Sequence, residues 1–174
     1  TINMLNNDKI LVETNIMNRE EVIKIFSKRH SVRQFEDKKV NEEDLSAILE
    51  AGHLAPRGMN RHAQHFYCFR KGEEKRAKLD SFLFSKLNRD PFYNADVIVL
   101  VFVDSTSVAP VEDGSACIEN MLLAASLLDL GGCWIHCPST IFNDEKNKPF
   151  LKEIDIKDDM HASDGIALGY KVER

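Results

Sequence analysis

The sequence predicts an α+β fold in one domain. The chain has 174 residues, which is the size of a single domain that can bury a core without disulfides or metals. Segments with a helical period mix with short apolar runs of strand length, and they lack the strict alternation of a doubly wound fold. The longest apolar run, 97–103, has the length of a buried strand and not the ~20 residues of a membrane span. We therefore expect a globular protein without a membrane partner.

Two asparagines predict the starts of the first two helices, because asparagine is a favoured N-cap. Asn18 precedes Val22, Ile23 and Phe26, whose helical spacing predicts a helix over 18–27. Asn41 opens a second helix, whose acidic first turn suits the positive end of the helix dipole. The same patterns predict strands over 65–69, 96–103, 133–136 and 165–170, helices over 73–87, 112–130 and 144–154, and a loop over 55–64.

The chain start shows no clear period, so residues 1–17 are expected to form an arm ahead of one domain at 18–174. No signal peptide is visible, because the first twenty residues lack a continuous apolar stretch. A cytoplasmic protein is expected on this basis, and its cysteines are then reduced thiols.

Composition argues against two further classes of function. The net charge is −5, whereas a nucleic-acid binder normally carries a basic face and a high pI. Four cysteines are present: Cys68, Cys117, Cys133 and Cys137. Two of them flank His136 with the spacing C-x2-H-C, but no second Cys/His pair has zinc-finger spacing. We therefore expect buried apolar cysteines and no metal site.

One stretch gathers positive charge in this acidic chain. Residues 27–35, the cation segment, read SKRHSVRQF and contain Lys28, Arg29, His30 and Arg33 around the hydroxyl of Ser31. Guanidinium groups and a hydroxyl match phosphate oxygens, so the segment could bind a phosphate or a nucleic-acid backbone, or could simply be a solvated face. Two apolar residues within it should pin it to the core, and it follows a helix end, where loops commonly hold ligands.

Two other stretches are candidates for a binding site. Residues 55–66 read APRGMNRHAQHF, in which Pro56 and Gly58 predict a tight turn and Asn60 offers a donor and an acceptor. Residues 131–137 read GGCWIHC, whose two glycines allow close backbone approach. Ordinary alternatives are a polar loop for the first and a helix stop for the second. No dinucleotide-binding fingerprint, P-loop, metalloprotease helix or hydrolase elbow occurs.

Several motifs follow one another in a recognisable order: R-H-S-V-R-Q-F at 29–35, A-P-R-G-M-N-R-H-A-Q at 55–64, E-N-M-L-L-A-A at 119–125, L-G-G-C-W-I at 130–135 and L-G-Y at 168–170. From about residue 18 to the C-terminus, the chain resembles the nitroreductase family of flavin-dependent oxidoreductases. The resemblance implies a central, mostly antiparallel sheet surrounded by helices.

The resemblance also implies a function. Members bind FMN non-covalently, usually between the subunits of a homodimer. They take hydride from NADH or NADPH and reduce a small acceptor, often a nitroaromatic or a quinone. Since the flavin carries the chemistry, no catalytic side chain is nominated.

Carried over by position, Arg29 and Ser31 would hold the phosphate and ribityl end of FMN. Arg33 would lie beside N1 and C2=O of the ring, where a cation stabilises the negative charge of the reduced flavin. Lys171 or Arg174 would add a phosphate contact.

On the same resemblance, Asn60 would touch the ring or the ribityl chain, and the backbone at Ile135 and His136 would approach the ring near N5. Arg57 stands where the family usually has serine, and its charge could favour an anionic substrate or NADPH. The full set of expected cofactor-binding residues is Arg29, His30, Ser31, Arg33, Pro56, Arg57, Asn60, Ile135, His136, Lys171 and Arg174.

Three alternatives remain open from the residues. A relative of this fold could dehalogenate aromatic rings. A flavin-binding or storage protein would bind FMN with little turnover. A nucleic-acid or phospho-ligand module would use the cation segment, although the acidic balance argues against it.

Overall fold

The structure of the chain, a computed structural model, describes residues 2–5, 9–12 and 16–172. The strands are β1 (Ile2–Leu5), β2 (Lys9–Val12), β3 (Gln64–Arg70), β4 (Val97–Val103), β5 (Gly131–Ile135) and β6 (His161–Gly169). The helices are α1 (Arg19–Lys28), α2 (Glu42–His53), α3 (Glu74–Leu87), α4 (Pro110–Leu127), α5 (Cys137–Phe142) and α6 (Lys148–Glu153), with a 3₁₀ turn at Gly58–Asn60.

Four strands form one sheet in the order β3-β4-β6-β5, and every neighbouring pair is antiparallel. All seven residues of β4 are buried, because strands flank it on both sides and helices cover both faces. β5 lies at an edge and pairs with β6 from Gly131 opposite Gly169 to Ile135 opposite Gly165. The predicted α+β class with a mostly antiparallel central sheet is confirmed.

Two apolar clusters cover the two faces of the sheet. On one face, Ile118 and Met121 of α4 join Val99 and Leu168 of the sheet. On the other face, residues of α3, α5 and α6 join alternate residues of the same strands: Leu79, Leu83, Phe142, Leu151, Ile98 and Leu100. None of the helices in the described chain is long and apolar enough to cross a membrane.

Both predicted helix caps form. The Asn18 side chain accepts a hydrogen bond from the Glu21 amide at 3.0 Å, and the Glu21 carboxylate accepts one from the Asn18 amide at 2.8 Å. This reciprocal pair is a capping box. Asn41 accepts a hydrogen bond from the Asp44 amide at 2.7 Å and caps α2.

Helix α1 keeps its apolar residues on the outside. None of its residues is buried, and Ile23 and Phe26 are 67% and 55% exposed. The predicted helix is confirmed, but nothing in the described part of this chain covers its stripe of apolar residues.

The structure differs from the sequence expectation at the chain start. β1 and β2 pair antiparallel, with Ile2 opposite Val12 and Leu5 opposite Lys9, where no period was recognised. Each strand has four residues, too few for an alternating pattern to stand out.

The C-terminal half differs at several element bounds, with α6 at Lys148–Glu153 against the predicted 144–154, and it contains one helix that was not predicted. α4 ends at Leu127, three residues before the predicted end. Helix α5 was missed, because it has only six residues, and His136 occupies its N-cap position instead of ending β5. Pro138 lies in its first turn, where proline is favoured. β6 begins at His161, four residues before the predicted start at 165.

Candidate functional site

The cation segment crosses the end of the sheet and is held on both sides by backbone pairing. On one side, Ser31 forms a parallel bridge with Gly132, and the Val32 amide donates to the Gly132 carbonyl at 2.9 Å. On the other side, Phe35 forms an antiparallel bridge with Lys171. The segment therefore lies between the edge strand β5 and the chain that follows β6.

Two glycines allow this close approach. A Cβ atom at Gly131 would lie 2.8 Å from Cγ1 of Val32, and one at Gly169 would lie 2.9 Å from Cδ1 of Phe35. A side chain at Gly131 would push against Cβ of Val32 as well as Cγ1, and one at Gly169 would displace the Phe35 ring. The two apolar residues of the segment are therefore pinned to the core, as the sequence predicted.

A cavity of about 700 Å³ opens beside the segment. We call it the cation cavity, and its lining residues are His30, Ser31, Val32, Arg33, Gln34, Tyr93, Lys171 and Val172. Four of the predicted site residues thus come together. The volume lies within the range of small-molecule and cofactor pockets.

The predicted cations differ in their partners. Arg29 does not line the cation cavity, and its Nε lies 3.7 Å from the Glu119 carboxylate of α4. Lys171 lines the cavity but donates to Asp129 at 2.6 Å. No ion pair joins Arg33 to a carboxylate within residues 16–172, and its guanidinium carbon lies 6.0 Å from the centre of the Tyr93 ring. Arg33 is therefore a cation available to a ligand.

Tyr93 is a site residue that the sequence analysis missed. It adopts φ 55°, in the left-handed region that bulky side chains avoid. The Asp90 carboxylate fixes this loop by accepting hydrogen bonds from the Phe92 amide at 2.8 Å and the Asn94 amide at 2.5 Å. Strained backbone of this kind concentrates at functional sites. The run D-P-F-Y-N ahead of a buried strand was the available signal.

A second cavity, of about 340 Å³, lies where β5 ends. We call it the strand-end cavity, and its lining residues are Leu87, Arg89, Pro91, Tyr93, Trp134, Ile135, His136, Cys137, Thr140 and Ile141. Tyr93 lines both cavities. The predicted residues Ile135 and His136 therefore line a cavity that shares Tyr93 with the cation cavity.

Asp164 of β6 organises the end of β5. Its carboxylate accepts a hydrogen bond from the Trp134 indole at 2.5 Å and lies 3.1 Å from Nδ1 of His136. The sequence analysis missed this residue, because it placed 161–164 outside the last strand.

The 55–64 loop lies apart from both cavities. Arg57 donates to the His53 carbonyl at 2.9 Å and to Asn60 at 3.4 Å, and burial followed by the Arg57 charge lowers the pKa of His53. The Gly58 amide donates to the buried Asp113 carboxylate at 2.7 Å. Pro56, Arg57 and Asn60 line neither the cation cavity nor the strand-end cavity. Arg174 lies outside the described residues.

The cysteines offer no reactive thiol. Burial raises the pKa of Cys68, Cys117 and Cys137 to about 11 and also raises the pKa of Cys133. Protonated thiols are poor nucleophiles. Among the residues described, no group of three or more His, Cys, Asp or Glu side chains is placed to hold a metal ion.

Comparison with known proteins agrees with the motif order. The model of the Nitroreductase family matches residues 26–99. A curated protein of Archaeoglobus fulgidus, named provisionally as an NADH dehydrogenase/NAD(P)H nitroreductase, is 30% identical over 156 residues, which are 87% of this chain and 86% of that protein. The chain belongs to the nitroreductase family.

Solved nitroreductase structures share the fold. A Bacteroides fragilis nitroreductase with bound FMN superposes with a TM-score of 0.73 at 30% identity, covering 87% of this chain and 89% of that one. A protein of Desulfovibrio desulfuricans, provisionally named a nitroreductase and solved in complex with FMN, gives a TM-score of 0.72 at 27% identity over 91% and 89% of the two chains. The nitroreductase motif R-H-S-V-R-Q-F of this chain forms the bridged segment at the cation cavity.

Proposed function

We propose that the chain is an FMN-dependent oxidoreductase that takes electrons from NADH or NADPH and passes them to a small acceptor such as a nitroaromatic or a quinone. The observation that carries this proposal is the cation cavity, in which a hydroxyl and two cations from distant parts of the chain line one space of about 700 Å³. FMN in two related structures supports the identity of the ligand.

The residues of the cation cavity fit the two ends of FMN. Ser31 supplies a hydroxyl donor and Lys171 an ammonium donor for the phosphate, because charge-assisted hydrogen bonds to phosphate oxygens are strong. An ammonium group has three donors, so Lys171 can bind a phosphate beside its hydrogen bond to Asp129. His30 lines the same space. Arg29 would join them only by exchanging its contact with Glu119 for the phosphate.

Arg33 and Tyr93 fit the ring end. The Arg33 guanidinium has no carboxylate partner among the described residues, so it can face the pyrimidine edge of the flavin. A cation there stabilises the charge of the reduced ring. FMN, when bound, supplies the hydride chemistry, while the protein binds and orients it and limits access of water.

The outer edge of β5 is available to the ring. Ser31 pairs with Gly132, and beyond Gly132 no other described strand residue pairs with this edge. The expected approach of the backbone at Ile135 and His136 to N5 is consistent with this free edge. Both residues line the adjoining strand-end cavity.

We propose a homodimer on two observations. The apolar stripe of α1, with Ile23 and Phe26, lacks a cover within the described chain. The expected cofactor residues Pro56, Arg57 and Asn60 lie apart from the cation cavity of their own chain. A second copy would cover the stripe and bring its own 55–64 loop towards the flavin.

Sedimentation should show a dimer, and Ile23→Asp should dissociate it. A monomeric wild type would contradict the proposal.

The first test is a visible absorption spectrum of the purified protein with and without FMN, followed by anaerobic NADH and then NADPH. A bound flavin that bleaches quickly with one donor supports the oxidoreductase. Binding with slow bleaching indicates a storage protein instead. A protein that stays colourless in excess FMN contradicts the proposal.

A matched pair of variants ties binding to the cavity. Arg33→Ala should weaken FMN by roughly 10- to 100-fold, which corresponds to the ~1.5–3 kcal/mol of a charge-assisted hydrogen bond. Arg19→Ala removes the same charge from the first residue of α1, outside the cation cavity, and should leave affinity unchanged. Equal affinities in both variants would refute the placement of FMN at Arg33.

A further inference from the structure

A buried carboxylate fixes an exposed imidazole at the end of β5. The Asp164 side chain is only 12% exposed, whereas that of His136 is 80% exposed. Oδ1 of Asp164 lies 3.1 Å from Nδ1 of His136, and Oδ2 accepts the Trp134 indole proton at 2.5 Å. The carboxylate is thus anchored on one side by an indole and orients the imidazole on the other.

This contact assigns the ring proton of the neutral imidazole. A carboxylate oxygen accepts hydrogen bonds, so Nδ1 of His136 must carry the proton that it shares with Asp164. Nε2 is then the atom that gains and loses a proton. Because the imidazole is mostly exposed, Nε2 can exchange protons with water.

The imidazole lies between two cavities. It lines the strand-end cavity, which adjoins the cation cavity at Tyr93. It also lines a third cavity, of about 280 Å³, whose lining includes residues with hydroxyl or imidazole groups: Ser115, Ser139, Thr140, His161 and Ser163. A small acceptor in the strand-end cavity would therefore meet His136.

We propose that His136 is a catalytic residue that donates a proton from Nε2 to the acceptor, with Asp164 as its positioning residue. This inference rests on the proposed function. A quinone becomes a hydroquinone by gaining two electrons and two protons. A hydride equivalent from the reduced cofactor supplies both electrons and one proton, His136 supplies the second proton, and the imidazole recovers it from water.

The test separates acceptors that need a proton from those that do not. The holoprotein is reduced with its nicotinamide donor and then mixed, without oxygen, with either a benzoquinone or ferricyanide, which takes one electron and no proton. His136→Gln should slow quinone reduction by roughly 100-fold, within the usual contribution of a general acid. Its reaction with ferricyanide should slow far less than its reaction with the quinone. FMN affinity and reduction by the donor are measured in the same variant, so that any effect on the cofactor contact at His136 is separated from proton transfer.

His161→Gln is the matched control. His161 lines the third cavity together with His136 but is not a hydrogen-bond partner of Asp164 within the described chain. This variant should reduce both acceptors at the wild-type rate.

Asp164→Asn tests the positioning role. It should slow quinone reduction, and adding it to His136→Gln should slow the reaction little further, because residues that act as a unit are not additive. Nitrogen-15 spectra of the histidine rings give a second readout that needs no turnover. The neutral ring of His136 should carry its proton at Nδ1 in the wild type and lose this preference in Asp164→Asn.

The outcomes separate the two proposals. Equal slowing of quinone and ferricyanide by His136→Gln, unchanged rates with both, or a neutral ring protonated at Nε2 would overturn the role of His136 alone. A wild-type protein that binds no FMN, or whose bound FMN is not reduced by either donor, would overturn the proposed function and this inference with it.

Discussion

Replacing Gly131 by alanine should damage both the fold and the cofactor site. The new Cβ would lie 2.8 Å from Cγ1 and 2.9 Å from Cβ of Val32, closer than side chains pack. Rotation of the Val32 side chain does not move its Cβ, so it cannot relieve the contact between that atom and the new Cβ at residue 131. The backbone must therefore separate, although the Val32 amide is held to the Gly132 carbonyl at 2.9 Å.

The size of the effect follows from this overlap. Overpacking a well-packed site typically costs about 1–3 kcal/mol. For a chain of this length, that cost lowers Tm by roughly 2–12 °C. Displacing Val32 also moves Ser31 and Arg33, which line the cation cavity. FMN affinity should therefore fall together with Tm.

Thermal unfolding followed by circular dichroism and titration with FMN measure the two effects. Gly72→Ala is the control, because Gly72 has φ 91° but its Cβ would touch nothing within 4 Å. It should lower Tm through backbone strain and leave FMN affinity intact. Unchanged Tm and unchanged FMN affinity in Gly131→Ala would refute the close-approach reasoning.

Two carboxylates and one thiol give further predictions. Hydrogen bonds from the Thr106 hydroxyl and amide lower the pKa of Asp104 from 3.8 to about 2. The ionised Asp104 carboxylate therefore contributes its full stabilisation above pH 4 and loses it as the pH falls to about 2. Asp104→Asn should remove this part of the acid-unfolding curve, and an unchanged curve would contradict the prediction. Asp113→Ala leaves the Gly58 amide without its acceptor and should lower the free energy of unfolding in urea by about 1–3 kcal/mol. The 55–64 loop should also be cleaved faster by a protease. Proteolysis as slow as in the wild type would contradict the role of this hydrogen bond in holding the loop. The Cys137 thiol, whose pKa burial raises to about 11, should react slowly with an alkylating reagent at pH 8 in the folded protein and quickly in urea, and equal rates would show that it is not shielded.

The caps and the central strands could be predicted because their signals are local. Asn18 and Asn41 precede apolar residues with helical spacing, and each makes its capping hydrogen bond. The apolar run 97–103 matches β4 because both of its faces are buried. The prediction failed around Pro138, because α5 is shorter than two turns and therefore shows no helical period in the sequence.

The site was only half predictable for a related reason. The cation segment was marked by its charge and Lys171 was named on the family resemblance, and the fold brings them together at one cavity. Asp164 carries no such signal, and only the turn run D-P-F-Y-N marks Tyr93. Their importance arises from the turn that Asp90 fixes and from the pairing of β6 with β5. Contacts between distant residues of this kind leave no periodic trace in the sequence.

The position of the site follows from the incomplete cover of an edge strand. An unpaired edge is a liability that proteins usually block, and here the cation segment blocks β5 only at Gly132. The Gly132 carbonyl accepts from Val32 and so points away from β6. The backbone N–H and C=O groups of successive residues point towards opposite edges of a strand. The Trp134 amide therefore points outward like the Gly132 carbonyl, whereas the Cys133 amide points towards β6.

This geometry makes a direct prediction about ligand binding. FMN in the cation cavity should slow hydrogen exchange of the Trp134 amide, because the ligand would cover the free edge of β5. The Cys133 amide, on the side paired with β6, should change little and serves as the internal control. Exchange that slows equally at both amides would indicate general stabilisation of the fold by the ligand. It would contradict the use of the β5 edge as a binding surface.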